Sequence, residues 1–185
     1  VGGSTFELGR RYNEVVGVDL SAKFIETAQR MKMKGAIPYF RCDQGELGEE
    51  CIASLDKAMG AAVTTPHVRF ERADACALPV SLGCYDACLM ANLLCRLPNP
   101  TACLARLSGP EGLVKPGGLA VVVSPYTWME EHTPKATWLG GYKSADGQRV
   151  FTDATLRAVF AENGFELLGE EDMPLLIREH ERKYQ

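Results

Sequence analysis

The sequence lacks the features that would tie it to a membrane, a nucleic acid or a metal. No apolar stretch approaches the roughly 18 residues that a membrane-spanning helix requires, so no spanning segment is expected. No block of lysine and arginine is present that could track a phosphate backbone, and 20 basic residues against 24 acidic ones leave a net charge of -4. Nucleic acid is therefore a poor partner for this chain. The seven cysteines (Cys42, Cys51, Cys76, Cys84, Cys88, Cys95, Cys103) include no Cys-x-x-Cys pair, and only Cys84 and Cys88 approach the spacing of a zinc ligand pair. They read as reduced thiols used mostly as small hydrophobes, which points to the cytoplasm and to no metal. The chain opens on Val1 with no charged-then-apolar leader pattern, and a piece of a longer polypeptide is the expectation. What is present is the balance of a globular domain with a real core: 185 residues, 46% hydrophobic and 24% charged.

Along the chain, helical and strand signals alternate. A helical period starts at Ser4, with Phe6 and Leu8 apolar, and stops before Asn13. Residues 14–19 form a short apolar run ending in an acid, which reads as a buried parallel strand. Ser21 is placed to cap the next helix, whose Phe24, Ile25, Ala28 and Met31 share a face and which Gly35 ends. Residues 36–66 break the rhythm and read as an insertion, with 37–42 and 49–53 forming a hairpin around Asp43-Gln44-Gly45. Strands are then expected at 68–74, 85–91 and 119–124, a helix near Thr101 to Leu107, and a tight turn at Lys115-Pro116-Gly117-Gly118. A helix over 153–163 is closed by Gly164, and 165–168 starts a last strand. Strands alternating with helices give an α/β fold with a mainly parallel sheet.

In such a sheet, ligands bind outside the carboxyl ends of the strands, and the residues there are polar. Gly2 and Gly3 precede a helix, where missing side chains let a ligand approach backbone N–H groups. Asp19, with Leu20 beside it, ends the next strand, where a carboxylate can accept both hydroxyls of a ribose. Asp74, with Ala75 and Cys76, ends the strand after that and is placed to contact an adenine edge. Each also has a plain reading, as a turn glycine, a helix cap or a loop acid.

These residues, with the Asp86 strand and the element Leu113-Val114-Lys115-Pro116-Gly117-Gly118-Leu119, resemble the class I S-adenosylmethionine-dependent methyltransferases. Glycines and an acid alone would equally suit a nicotinamide dinucleotide fold, and it is the Lys-Pro-Gly-Gly element that separates the two. A narrower resemblance rests on three segments: 91–98, 124–134 with Trp138-Leu139-Gly140-Gly141, and 172–180. They look like the carboxyl-terminal domain of the ovothiol-biosynthesis enzymes, the 4-mercaptohistidine N1-methyltransferase fused to 5-histidylcysteine sulfoxide synthase. The resemblance covers 1–185 as a single methyltransferase domain. It implies a Rossmann-like sheet with helices on both faces, and transfer of a methyl group from S-adenosylmethionine to a ring nitrogen of 5-thiohistidine. It also implies an upstream sulfoxide synthase domain. In the family pattern a strand and an Asp-x-Gly-Cys-Ala loop lie before the position of Val1, and a last strand lies after Gln185. The expectation is thus a fragment truncated at both ends, with a gap, or a collapse closing it, between the 14–19 and 85–91 strands.

The resemblance also assigns roles. Asn92, after the 85–91 strand, is expected to contact the methionine end of the cofactor and the acceptor. A zwitterionic amino acid with a flat ring calls for a cation, an anion and an aromatic surface. Tyr126 and Trp128 are expected to pack on the imidazole, Glu130 or Glu131 to hold the ammonium, and Arg96 or Arg178 to clamp the carboxylate. His132 and His180 are expected as exposed loop histidines, and Cys95 as a packed thiol. Two other readings stand beside this one: the same chemistry on another small acceptor, and a module that keeps the cofactor fold without catalysis.

Overall fold

The alternation of apolar strands and capped helices is realised in a computed structural model as a mixed α/β chain built of small sheets and short helices. The structure describes residues 1–55 and 67–174, and the backbone of 178–180 and 183–184. It divides into two compact units, Val1–Arg72 with Glu171–Gln185, and Ala73–Glu170. Among the described residues no helix is long and apolar enough to cross a membrane.

In the first unit, α1 (Gly3–Leu8) leads to β1 (Val15–Asp19), α2 (Ala22–Lys34), a hairpin of β2 (Ala36–Gln44) and β3 (Leu47–Ser54), and β4 (Val68–Arg72). The helical period in the sequence predicts α1 to residue 12, but the helix stops at Leu8 and Gly9 turns the chain. β1 and β4 pair in parallel with Val15 opposite Val68 and Gly17 opposite Phe70. Both helices pack on the face these residues share: Phe6, Ile25, Ala28 and Met31 join Val15, Val68 and Phe70 in one core. Phe6 meets Phe70 edge to face at 5.1 Å. The opposite face carries Arg69, ion-paired to Glu14 at 3.3 Å and Glu71 at 3.4 Å, and among the described residues no helix covers it. The outer edge of β4 is occupied as well. Lys32 Nζ donates to the Val68 carbonyl at 2.5 Å and Gln29 Nε2 to that of Phe70 at 3.3 Å, which blunts an exposed strand edge.

The expected hairpin is present: β2 and β3 pair antiparallel from Ala36 opposite Ser54 to Gln44 opposite Leu47, outside the parallel pair. Only Ile37 and Ala53 of the hairpin pack against the core. The remainder of the 36–66 expectation, residues 56–66, lies outside the described residues. β9 (Arg178–His180) and β10 (Lys183–Tyr184) pair antiparallel.

The second unit runs from β5 (Tyr85–Ala91) through α3 (Pro100–Ala105), β6 (Val114–Val123), the short pair β7 (Tyr142–Lys143) and β8 (Arg149–Val150), to α4 (Thr152–Glu162). β5 and β6 pair in parallel, Leu89 opposite Val121 and Ala91 opposite Val123. The pair is separate from the β1–β4 ladder, so the single sheet of four strands is found as two parallel pairs. Lys115-Pro116-Gly117-Gly118 is not a turn before the strand but an irregularity inside it. Val114 pairs with Tyr85 and Leu119 with Ala87, so four residues of β6 span the one step at Asp86. Gly117 takes φ +78, and a Cβ on Gly118 would stand 2.9 Å from the Asp86 carbonyl. Lys115 Nζ closes the irregularity on both Asp86 oxygens at 3.1 Å.

Two more strand expectations change. The 119–124 strand is the last part of the longer β6, whose burial alternates, with Leu119, Val121 and Val123 36 to 42% exposed. Residues 165–168 form no strand, since no ladder takes them up among the described residues. Phe165 instead closes the helix end, its N–H donating to the Phe160 carbonyl at 2.9 Å and its ring meeting that of Phe160 at 5.3 Å.

Candidate functional site

The cofactor residues expected from the sequence divide between the units: Gly2, Gly3, Asp19 and Leu20 in the first, Asp74, Ala75 and Asn92 in the second. In the first unit Asp19 is the last residue of β1 and is exposed. Its Oδ1 accepts the Ser21 N–H at 2.8 Å, and Ser21 in turn caps α2 by accepting the Phe24 N–H at 3.3 Å. The turn occupies one carboxylate oxygen and leaves the group at the surface. Leu20 is 61% exposed, and its carbonyl accepts Arg72 Nε at 3.0 Å, so the strand tip is fixed from the neighbouring strand.

Gly2 is glycine for internal reasons. It takes φ +76, and a Cβ there would lie 3.0 to 3.2 Å from the Phe70 ring and Ala28. The missing side chain makes room for the core and not for a ligand. Gly3 has open space, but it starts a helix of only six residues.

In the second unit, Asp74 does not end a strand. β4 closes at Arg72, and Asp74 opens a turn in which Oδ1 accepts the Cys76 N–H at 2.8 Å and its carbonyl the Ala77 N–H at 2.9 Å. The half-buried Ala75 lies inside that turn. Cys76 Sγ donates to the Asn99 carbonyl at 3.3 Å, and Asn99 caps α3 through the Ala102 N–H at 3.1 Å. Burial pushes the Cys103 thiol up to about 12, with Cys88, Cys76 and Asp74 adding to the shift, and burial also raises Cys88. These are inert packing thiols.

The ends of β5 and β6 are built differently from the end of β1. Asn92 and Tyr126 both take left-handed backbone, φ 53 and φ 52, and are the non-glycine residues with positive φ among those described. Such conformations persist only where the surroundings hold them, and they concentrate at functional sites. The Asn92 N–H donates to the Val123 carbonyl at 2.8 Å, which extends the ladder one residue past β5. The Tyr126 N–H donates to Ser124 Oγ at 3.3 Å, and its carbonyl accepts the Trp128 N–H at 3.1 Å. Asn92 and Tyr126 are thus brought to the exits of two adjacent parallel strands.

Trp128 is committed elsewhere. Its ring stacks on Trp138 at 6.3 Å, its Nε1 donates to Thr152 Oγ1 at 2.8 Å, and Gly141 lies against its edge. Trp138 Nε1 donates to the Thr133 carbonyl at 2.7 Å, and the fully buried Thr133 hydroxyl donates to the Leu97 carbonyl at 2.8 Å. Half-buried indole N–H groups need acceptors, and the Thr152 hydroxyl and the Thr133 carbonyl supply them. Arg96 is likewise engaged: Nη1 donates to the carbonyls of Thr127 at 3.0 Å and Cys95 at 3.3 Å, and Nη2 to Thr127 Oγ1 at 3.5 Å. Cys95 is fully buried, as expected for a packed thiol. Glu130 and Glu131 are exposed, and Glu131 faces His132 at 3.2 Å. Arg178 and His180 have side chains outside the described residues.

Sequence reasoning missed Thr127, Thr133, Thr152 and Arg157. Two indole N–H groups in one loop imply two acceptors nearby, a usable signal for the threonines. For Arg157 the i,i+4 spacing from Asp153 on the 153–163 helix signals one partner, whereas Glu170, in a loop beyond the helix, has no local signal. Among the described residues no three His, Cys, Asp or Glu side chains cluster as a metal site would need. No family model matches the chain, and no curated protein matches it.

Proposed function

We propose that this chain transfers a methyl group from S-adenosylmethionine to a ring nitrogen of 5-thiohistidine, the methylation step of ovothiol biosynthesis, on a Rossmann-like class I framework. The observation that carries the reading is the pair of left-handed residues, Asn92 and Tyr126, at the exits of the parallel strands β5 and β6. Polar groups at carboxyl ends of parallel strands are where ligands bind in α/β folds. The cofactor supplies an electrophilic methyl group on a sulfonium. Asp19 fits its ribose, as an exposed carboxylate with one oxygen engaged in its own turn. Asn92 and Tyr126 orient the acceptor. A free imidazole titrates near pH 6.5, roughly, so near pH 7 the lone pair of its neutral form attacks the methyl carbon, the S–CH3 bond breaks to release S-adenosylhomocysteine, and the other ring nitrogen gives its proton to water; hydrogen bonding that selects one nitrogen suffices in place of a strong base. Glu130 or Glu131 holds the ammonium. The protein works in the cytoplasm, joined to an upstream sulfoxide synthase domain, where its free cysteines stay reduced.

One observation favours a second acceptor class. Trp128 is bound to Trp138 and Thr152, which leaves Tyr126 as the exposed aromatic of the expected pair and suits a smaller amine or hydroxyl acceptor equally. The deciding experiment incubates full-length protein with S-adenosylmethionine and 5-thiohistidine, histidine or ergothioneine in parallel. A product about 14 mass units heavier from 5-thiohistidine alone, the mass of one added CH₂ unit, with the methyl on ring nitrogen, supports the first reading. Transfer to a different acceptor supports the second, and transfer to none removes both.

A further inference from the structure

We infer that Arg96 is a positioning residue that holds Tyr126 in place through Thr127, and does not clamp a substrate carboxylate. The inference rests on the reading of Tyr126 as an acceptor-side residue. Its structural half stands on geometry alone. Directly after β6 the chain turns twice within three residues: Tyr126 is left-handed at φ 52, and the Trp128 N–H reaches back to the Tyr126 carbonyl at 3.1 Å, centring a tight turn on Thr127. That conformation costs a tyrosine steric strain that glycine does not bear, against which stand its local bonds with Ser124 Oγ and the Trp128 N–H. Something outside the turn must hold it.

The outside contact is Arg96. It ends the short 3-10 turn Leu94–Arg96 that follows β5, so it leaves the strand adjacent to β6. Its guanidinium takes the Thr127 carbonyl at 3.0 Å and the Thr127 hydroxyl at 3.5 Å, while the Cys95 carbonyl receives the same Nη1 at 3.3 Å. The Cys95 thiol stands 4.0 Å from that hydroxyl. A planar fork that meets a carbonyl and a hydroxyl of one residue fixes direction as well as distance, and lysine cannot reproduce it. Donors already spent on Thr127 and Cys95 are poorly placed for a ligand carboxylate. Arg157, whose guanidinium Glu170 and Asp153 hold, also interacts electrostatically with the Tyr126 phenol. Arg96 thereby grips the residue next to Tyr126, and Arg157 adds an electrostatic interaction with the phenol.

The test uses the full-length chain with Arg96→Ala, Arg96→Lys, Tyr126→Gly and the Arg96→Ala/Tyr126→Gly pair. Amide hydrogen exchange over 126–128 is read beside steady-state methyl transfer. Arg96→Ala is expected to speed exchange at these amides at least tenfold and to lower kcat about tenfold to a hundredfold, with KM within threefold, since a misplacement near 1 Å costs about that much. Arg96→Lys should show the same pattern at roughly a third of the size. In the Tyr126→Gly background the Arg96 effect on exchange should vanish, because no strained residue remains to be held. Unchanged exchange in Arg96→Ala, or an undiminished effect in the double variant, overturns the inference. A rise in KM alone restores the carboxylate clamp. If Arg96→Ala does not fold, the lysine variant carries the same test. If the wild-type chain methylates none of the three acceptors, the functional reading fails and the exchange data decide this inference by themselves.

Discussion

The ends of β1 and of β5–β6 solve the same problem in opposite ways. Each is the carboxyl end of a parallel pair and each presents polar residues. At β1 the chain leaves through Asp19 and Ser21, which satisfy the backbone by an ordinary side-chain turn and a helix cap. At β5 and β6 it leaves through Asn92 and Tyr126, both left-handed, the first held by a ladder bond to Val123 and the second flanked by Thr127, which Arg96 grips. The first tip is held by short-range turn chemistry and by Arg72 Nε on the Leu20 carbonyl, and Asp19, Leu20 and Ser21 take no left-handed backbone. The second is held by contacts more than 30 residues apart in sequence, and it stores strain. That difference teaches where preorganisation resides: a relaxed carboxylate can bind, whereas a strained loop is kept for the sake of a fixed geometry.

The largest expected effect tests the support beneath the relaxed tip. Phe6 is fully buried and meets Phe70, the residue that also fills the space beside Gly2. Phe6→Ala should destabilise the protein by about 3–5 kcal/mol, read from denaturant unfolding, through lost transfer energy and a cavity. A loss below about 1 kcal/mol would show that this core is not what holds β1. The next effect addresses the tip itself. Asp19→Ala should weaken S-adenosylmethionine binding by about 1.5–3 kcal/mol for charge-assisted hydrogen bonds, with unfolding changed much less. Calorimetry that finds equal affinity would strip the first tip of its role.

The second unit is open to a pH test. Burial holds Cys103 at about 12 against an ordinary value of 9.0. Because the folded value is the higher one, stability is intact below pH 9 and falls between pH 9 and about 12, as the unfolded chain releases the proton first. The decline is at most about 1.4 kcal/mol per pH unit for this thiol. Cys103→Ala should flatten the alkaline limb of the unfolding midpoint against pH. An unchanged limb would assign the loss to other groups.

How much of this is legible in the sequence follows the same division. The strands 14–19 and 85–91, the Ser21 cap, the Gly35 stop and the 37–53 hairpin rest on short-range signals, and all appear close to where the pattern puts them. The failures require long-range knowledge. Pro116-Gly117-Gly118 looks like any turn until Asp86 opposes it, and 165–168 is apolar enough for a strand but finds no partner among the described residues. Asn92 and Tyr126 are legible as strand-exit residues; left-handed backbone suits an asparagine, whereas nothing in the sequence announces it for Tyr126. Trp128 and Arg96 carry the right chemistry for a ligand. Only the fold reveals that Trp138, Thr152 and Thr127 consume it.

The smallest expected effect returns to the comparison through strain itself. If Tyr126 is held against its preference, Tyr126→Gly should relieve about 1–3 kcal/mol of backbone strain and lose about 0.5–1 kcal/mol to the greater freedom of glycine in the unfolded chain. Loss of ring contacts offsets part of the remainder, so a net change within about 1 kcal/mol of zero is expected. Leu20→Gly, at the relaxed tip, has no strain to release and should only destabilise, by about 0.5–1 kcal/mol for the added flexibility. The discriminating quantity is the difference between the two substitutions, measured as unfolding free energies under one set of conditions. Glycine should be better tolerated at position 126 than at position 20, although Tyr126 is 44% exposed and Leu20 61% exposed and burial alone predicts the reverse. Equal losses at both positions would mean that φ 52 at Tyr126 stores no energy, and that the two tips differ in shape but not in preorganisation.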